Sequence, residues 1–189
     1  IIQPNGFISI VDMDSVEIID EGNVLFPATV TTPEYTPAEY YTKNEEGEIT
    51  HTVGTDWTDV ADLNYNNLEM RAEMLEDMKY WLKEADVDGF RCDVAGMVPT
   101  DFWEHTVAEL KKVKPVFMLA EAWEPELMKN AFDMGYSWDT HHRMNHIAKG
   151  EENVKNWDAR MTQIDTMYAK DNILMNFVTN HDENSWNGT

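Results

Sequence analysis

The sequence is poor in basic residues, with 14 Lys and Arg against 36 Asp and Glu, and its formal net charge is −22 over 189 residues. A field of that sign repels phosphate groups, so it disfavours nucleic acid and anionic membrane surfaces as partners. No apolar run approaches the roughly 20 residues that span a bilayer. The single cysteine, Cys92, excludes an internal disulfide. Neutral or cationic ligands remain, and neutral sugars are among them.

The two ends of the chain differ from its middle. The chain begins with Ile1 and ends at Thr189, directly after a chemically dense segment, and we therefore expect a fragment. Two short apolar runs, Gly6–Ile10 and Ser15–Ile19, flank an acidic turn and predict a hairpin. Residues 1–38 otherwise stay an unassigned N-terminal segment.

Helical and strand patterns alternate through the rest of the chain. The predicted elements, in order, are a helix from Asn66, strand Val87–Val94, a helix from Thr100, strand Val116–Ala120, a short helix Pro125–Asn130, strand Ala131–Met134, helix Asn153–Tyr168 and strand Ile173–Thr179. Such alternation implies parallel strands, in a doubly wound sheet or a (β/α)8 TIM barrel. No glycine-rich phosphate loop follows a strand, which disfavours the nucleotide-binding sheet. We therefore predict a partial (β/α)8 barrel over residues 39–189.

Acidic residues stand at the predicted strand ends. Arg91 and Asp93 share one face of their strand, where they predict either a structural ion pair or part of a site. Further carboxylates end the later strands, at Glu121, Asp133 and Asp182. Clustered buried carboxylates are costly unless chemistry uses them. Two reactions fit: enolisation assisted by a carboxylate-bound metal, and glycoside hydrolysis.

Three local sequences carry a family resemblance. GFRCDVA, FMLAEAW and FVTNHDENSW resemble, in order and separation, the second, third and fourth signatures of the alpha-amylase family, glycoside hydrolase family thirteen. WTDVADLNYNN resembles that family's approach to its fourth barrel strand. The resemblance covers about residues 39–189, and within the family the motif sequences are most similar to those of bacterial maltodextrin-degrading members. The chain would then be a fragment of the catalytic barrel.

The resemblance implies a role for each matching residue. Asp93 would be the nucleophile that attacks the anomeric carbon, and Arg91 would keep it ionised and oriented. Glu121 would be the acid, and then the base, of a retaining reaction through a covalent glycosyl-enzyme. Asp182 would grip sugar hydroxyls, and His181 would donate to the same sugar. The gap between the Asp93 and Glu121 carboxyl groups would be about 5–5.5 Å.

The implied substrate is an alpha-glucan oligosaccharide, of the alpha-1,4-linked maltodextrin or starch type. Trp123 could stack on a sugar ring or serve as ordinary lid material. No cofactor is required; calcium is possible, because Asp62 resembles a calcium-binding aspartate of some members. The family's first signature is absent, however, and Gly96 and Met97 stand where many members have a Lys-His pair.

Other polar residues were weighed as ligands. His142 and His146 are four apart on an expected helix beside His141, but no third ligand is evident, so we expect a polar helix face and no metal. Glu183 is expected at a solvated loop end. Two alternatives to the glycosidase hypothesis stay open: a truncated barrel without catalysis, and an enolase-type carboxylate–metal barrel.

Overall fold

The computed structural model describes residues 9–12, 17–21, 37–58 and 60–183, with side chains from residue 37 onward. The chain divides into two compact units, one from Ile1–Asp93 with Glu109–Pro115 and the other from Val94–Ala108 with Val116–Thr189. Among the described helices, none combines the length and apolarity needed to cross a membrane.

The first unit opens with an antiparallel pair of strands, β1 (Ser9–Asp12) and β2 (Glu17–Glu21). Their register pairs Ser9 with Glu21 and Asp12 with Glu17. This pairing confirms the predicted hairpin, although each strand lies two or three residues further along the chain than the apolar runs indicated.

Helix α1 (Leu68–Glu84) follows a short 3-10 turn at Ala38–Tyr40 and a loop region. Its N-cap is Asn67, whose side chain accepts hydrogen bonds from the backbone N–H groups of Glu69 and Met70. The prediction placed this cap at Asn66, one residue too early. The buried side chains of the helix recur at helical spacing and form its core face: Met70, Leu75, Met78 and Leu82.

Strand β3 (Gly89–Cys92) is shorter than the predicted Val87–Val94. It stops because Val94 has φ 47°, in the left-handed region, where an extended strand cannot continue. A 3-10 turn at Ala95–Met97 follows directly.

The remaining elements alternate as the sequence pattern indicated. They are α2 (Thr100–Leu110), β4 (Phe117–Ala120), α3 (Leu127–Asn130), β5 (Met134–Tyr136), α4 (Trp138–Ala148), α5 (Val154–Met167) and β6 (Ile173–Met175). β4 pairs with β5, and β5 with β6, both in parallel. Parallel strands joined by helices confirm the predicted α/β class.

Two details of β5 differ from the sequence interpretation. The strand begins at Met134 rather than Ala131, so Asp133 precedes it instead of ending it. The Asp133 carboxylate accepts a hydrogen bond from the backbone N–H of Met118 at 2.8 Å, and the Asp133 N–H donates to the Met118 carbonyl at 2.9 Å. Asp133 therefore joins the start of β5 to β4, and the prediction that it stands at the catalytic end of a strand is wrong.

The crossover from β5 to β6 contains two helices, where the sequence pattern had indicated one. Helix α4 ends because Gly150 adopts φ +75°, and the N–H groups of Gly150 and Glu151 donate to the carbonyls of Ile147 and His146. This is a Schellman motif, a glycine-dependent helix end. A buried Arg160 on α5 then pairs with Asp139 on α4 at 2.8 Å and fastens the two helices together.

Aromatic packing anchors the core of the second unit. The Trp103 ring meets Phe102 and Phe132 edge-on, with centroids 5.2 and 5.1 Å away. Its indole N–H donates to the Ala95 carbonyl at 3.1 Å, so the polar end of this buried ring is satisfied. The contact fixes α2 to the turn that follows β3.

Candidate active site

Arg91 and Asp93 form an ion pair at the end of β3, between guanidinium Nη1 and carboxylate Oδ1. Both side chains are partly buried, with 20% and 27% of their surface exposed. The strand alternation places them on one face, as the sequence predicted, with buried Cys92 between them in the chain. A partly buried cation of this kind keeps a carboxylate fixed in direction.

Glu121 directly follows β4, and its carboxylate is held by the backbone. The N–H of Val94 donates to Glu121 Oε2 at 2.9 Å. Val94 has a left-handed conformation, which is unusual for a β-branched residue and costs roughly 1–3 kcal/mol. Strain of this size persists only where the surrounding structure enforces it, and such places cluster at functional sites.

Asp182 and His181 follow β6 and face solvent, with 44% and 71% of their side chains exposed. They lie beside each other, with His181 Nε2 and Asp182 Oδ2 3.4 Å apart. The side-chain oxygen of Asn180 accepts from the Glu183 N–H at 2.7 Å and so closes a local turn around both residues. The polar groups are therefore accessible while their backbone is held.

Trp123 has an exposed ring on a fixed backbone. Half of its surface is accessible, 50%. Its carbonyl accepts a hydrogen bond from the Tyr168 hydroxyl, and its N–H donates to Glu124 Oε2 at 3.0 Å. Burial raises the pKa of Tyr168, which keeps this hydroxyl a donor. An exposed aromatic face of this kind can receive a ligand ring, and the sugar-stacking role of Trp123 stays a prediction.

The position of the missing Lys-His pair has a specific environment. A side chain at Gly96 would meet the Glu124 carboxylate, with a Cβ 3.0 Å from Oε2. The Glu124 carboxylate therefore lies directly beside Gly96, at the position where many family members carry a lysine. Met97 beside it is exposed.

His141 is buried on α4, contrary to the polar helix face that the sequence predicted. Only 1% of it is exposed, and its ring stacks on Phe177 with centroids 4.6 Å apart. His141 Nδ1 lies 3.1 Å from the Phe177 carbonyl oxygen, and Nε2 lies 3.3 Å from Glu183 Oε2. Glu183 is itself only 6% exposed, so the expectation of a solvated loop end is wrong.

His146 behaves as a surface residue, as expected. It is about half exposed and pairs with Glu151 at 3.0 Å. The structure instead brings His141 and His142 together with Glu183, and one ligand atom from each lies within 4.8 Å of the others. Sequence reasoning missed Glu183 because it stands 42 positions from His141 and carries no local spacing signal.

Asp62 accepts a hydrogen bond from the Thr52 hydroxyl at 2.7 Å. Over the residues that the structure describes, Asp62 belongs to no group of three His, Cys, Asp or Glu side chains able to share an ion. Calcium at Asp62 therefore remains an expectation from resemblance alone.

A carboxylate follows each of three strands: Asp93 after β3, Glu121 after β4 and Asp182 after β6. In barrels of parallel strands the chemistry lies at these C-terminal strand ends. The fold is that of a partial β/α barrel, and these three carboxylates are the candidates for its chemistry.

The family model for the alpha-amylase catalytic domain matches residues 43–188 of the chain. The chain belongs to the alpha-amylase family. The carboxylate–metal barrel of the enolase type, an alternative left open by the sequence, finds no support in this match.

Relatives with curated names agree with the family. The chain is 34% identical to a maltogenic alpha-amylase of Bacillus acidopullulyticus over 61% of its own length and 21% of that protein. It is 27% identical to a cyclomaltodextrinase of Thermoanaerobacter pseudethanolicus over 61% of its length and 21% of that protein. The chain thus spans about a fifth of these relatives.

Solved structures agree on the fold. A maltogenic alpha-amylase of Thermotoga neapolitana superposes with a TM-score of 0.70 at 37% identity, covering 77% of this chain and 34% of that one. An alpha-amylase of Lactobacillus plantarum superposes with a TM-score of 0.73 at 28% identity, covering 82% and 40%. The described segment is therefore part of an alpha-amylase barrel.

Proposed function

We propose that this chain carries the catalytic carboxylates of a retaining alpha-glucan hydrolase that acts on alpha-1,4-linked maltodextrins or starch-type oligosaccharides. Its named relatives include maltogenic amylases and cyclomaltodextrinases as well as alpha-amylases, which supports maltodextrins as the substrate class. The observation that carries the proposal is the Arg91–Asp93 ion pair directly after β3.

The reaction begins at the anomeric carbon. Asp93, oriented by its ion pair with Arg91, attacks that carbon while Glu121 gives its proton to the departing glycosidic oxygen. The bond to the leaving sugar breaks and a glycosyl ester forms on Asp93. Water then attacks the same carbon as Glu121 removes its proton, which frees Asp93 and restores the original anomeric configuration.

Asp182 and His181 act on the sugar rather than on the bond. Their exposed polar atoms suit hydrogen bonds to ring hydroxyls, which strengthen as the ring flattens toward the oxocarbenium-like transition state. The exposed ring of Trp123 offers a platform for a neighbouring sugar. Gly96 stands where many family members have a lysine, and the Glu124 carboxylate beside it gives the leaving-group side an acidic character.

The test measures reducing sugar released from maltotetraose by the chain and by Asp93→Asn and Glu121→Gln. Removing the nucleophile is expected to abolish turnover, and removing the acid/base to lower it by about 10²–10⁴-fold. Glu126→Gln, which changes an exposed carboxylate five residues from Glu121, is the control and should keep full activity.

Two results would contradict the proposal. Turnover that survives Asp93→Asn would remove Asp93 from the mechanism. A folded chain that turns over no maltodextrin in any version would favour the alternative of a non-catalytic barrel segment, for which the short span of the chain relative to its relatives is the supporting observation.

A further inference from the structure

We propose that His141, His142 and Glu183 form a binding site for a divalent cation of the zinc type. The three residues lie in the second unit, and one ligand atom from each falls within 4.8 Å of the other two. The proposal is independent of the glycosidase reaction, because none of the three belongs to the carboxylates that perform it.

The proton position on His141 is the first argument. Nδ1 lies 3.1 Å from the carbonyl oxygen of Phe177. A carbonyl only accepts, so Nδ1 must carry the hydrogen. When the ring is neutral, its lone pair is therefore at Nε2. A backbone carbonyl that fixes one ring nitrogen in this way is the usual outer partner of a metal-binding histidine.

The environment of Nε2 is the second argument. Glu183 Oε2 lies 3.3 Å from Nε2, and both side chains are almost fully buried. A lone pair and a carboxylate oxygen repel each other at that distance, and a cation between them would remove the repulsion. Either a proton or a metal ion can supply that charge, and an experiment can tell them apart.

His142 supplies the third donor and favours the metal. Its ring is exposed and stacks on Trp138, with centroids 6.0 Å apart and planes at 23°. The buried pair would therefore hold the ion from inside while His142 closes it from the solvent side. Two imidazoles, one carboxylate and an open position for water are a donor set typical of zinc.

One contact competes with the ion. Asn145 Nδ2 lies 3.1 Å from His141 Nε2 and donates to the same lone pair. Zinc would displace this donor, because the ion and the amide hydrogen need the same position. Removing the amide with Asn145→Ala should therefore leave zinc affinity unchanged or increased.

A bound ion would connect two parts of the second unit. His141 and His142 belong to α4, whereas Glu183 belongs to the segment that also carries His181 and Asp182. The ion would fasten this segment to the helix and stabilise the folded state by mass action. We expect a higher midpoint of thermal unfolding when zinc is present.

The test is isothermal titration of the untagged full chain with zinc sulfate near neutral pH. We expect one zinc per chain. His142→Ala, a change at an exposed side chain, and the isosteric Glu183→Gln should each lower affinity by at least roughly the 10–100-fold known for lost outer partners. The control is His146→Ala, on the same helix but paired with Glu151, which should bind zinc unchanged.

Cobalt and magnesium provide two further tests of the proposed site. Cobalt added to the chain should give the visible absorption of a low-coordinate nitrogen and oxygen site, absent in His142→Ala. Magnesium, which prefers six oxygen ligands, should not raise the unfolding midpoint of either the unsubstituted chain or His142→Ala. No zinc binding by the chain, or equal binding by His142→Ala, Glu183→Gln and His146→Ala, would overturn the proposal and assign a proton to the His141–Glu183 contact.

Discussion

The backbone N–H of Val94 donates to the Glu121 carboxylate, with N and Oε2 2.9 Å apart. Val94 immediately follows Asp93 in the chain, so the bond attaches the proposed acid/base to the residue next to the proposed nucleophile. Val94 also adopts φ 47°, which a β-branched residue avoids. The strained residue thus donates to the carboxylate that we propose as the acid/base.

The strain at Val94 predicts that glycine is tolerated there at least as well as alanine, the reverse of their order inside a regular helix or strand. Left-handed backbone costs a non-glycine residue roughly 1–2 kcal/mol, more than the roughly 0.5–1 kcal/mol that glycine loses in flexibility. Val94→Gly should therefore be at least as stable as Val94→Ala in urea denaturation. Ala72→Gly in the exposed face of α1 is the control and should lose about 1 kcal/mol. A Val94→Gly protein weaker than Val94→Ala by that same amount would rule out strain.

A close backbone approach at β5 predicts that Gly135 tolerates no side chain. A Cβ there would lie 2.9 Å from the Ala122 carbonyl oxygen, which is backbone and cannot move aside. Gly135→Ala should cost about 1–3 kcal/mol by overpacking. Gly96→Ala is the matched control, because its Cβ would meet only the mobile end of Glu124. Equal losses for both variants in denaturant unfolding would contradict this interpretation.

The raised pKa of the Cys92 thiol predicts that its contribution to the free energy of unfolding changes with pH in the alkaline range. Burial raises the pKa of this thiol from 9.0 to about 12. Because the folded value is the higher one, the unfolded chain loses its proton first. The contribution is complete below pH 9 and disappears as the pH rises toward 12. The difference in unfolding free energy between the chain and Cys92→Ala should shrink over that window; a constant difference would show that the thiol pKa is ordinary.

The N-cap of α1 predicts different losses of stability for substitutions at two adjacent asparagines. Asn67 accepts from two backbone N–H groups, whereas Asn66 is the cap that spacing alone suggests. Asn67→Ala should lose about 1 kcal/mol of stability by urea denaturation. Asn66→Ala serves as the neighbouring control and should lose only a few tenths. A larger loss at Asn66 would place the cap where the sequence interpretation put it.

The order of helices and parallel strands was predictable because apolar periodicity and helix caps are local signals. Their bounds were less predictable, since β3 ends at a strained Val94 that no propensity anticipates. Asp133 was assigned to the wrong end of β5 because an apolar run cannot fix where a three-residue strand begins. Helix α4 was left out of the predicted order of elements, although His142 and His146 were expected on a helix and Gly150 is a readable stop signal for it.

The candidate site divides in the same way. Arg91 and Asp93 were predictable because period-two alternation puts them on one face. The burial of His141 and Glu183 was not, since it depends on a tertiary contact between residues far apart in the chain. Similarly, the close approach at Gly135 depends on the Ala122 backbone, which a linear pattern does not reveal.

The identity of the nucleophile is the central claim, and trapping it is the most direct measurement. The chain is incubated with a fluorinated alpha-maltosyl fluoride, which forms the glycosyl ester faster than water can remove it, and intact mass and peptide mass are recorded. The account predicts one maltosyl group per chain, on the peptide containing Asp93, and none on Asp93→Asn. A label on another residue, or an unlabelled chain that still hydrolyses maltodextrin, would contradict it.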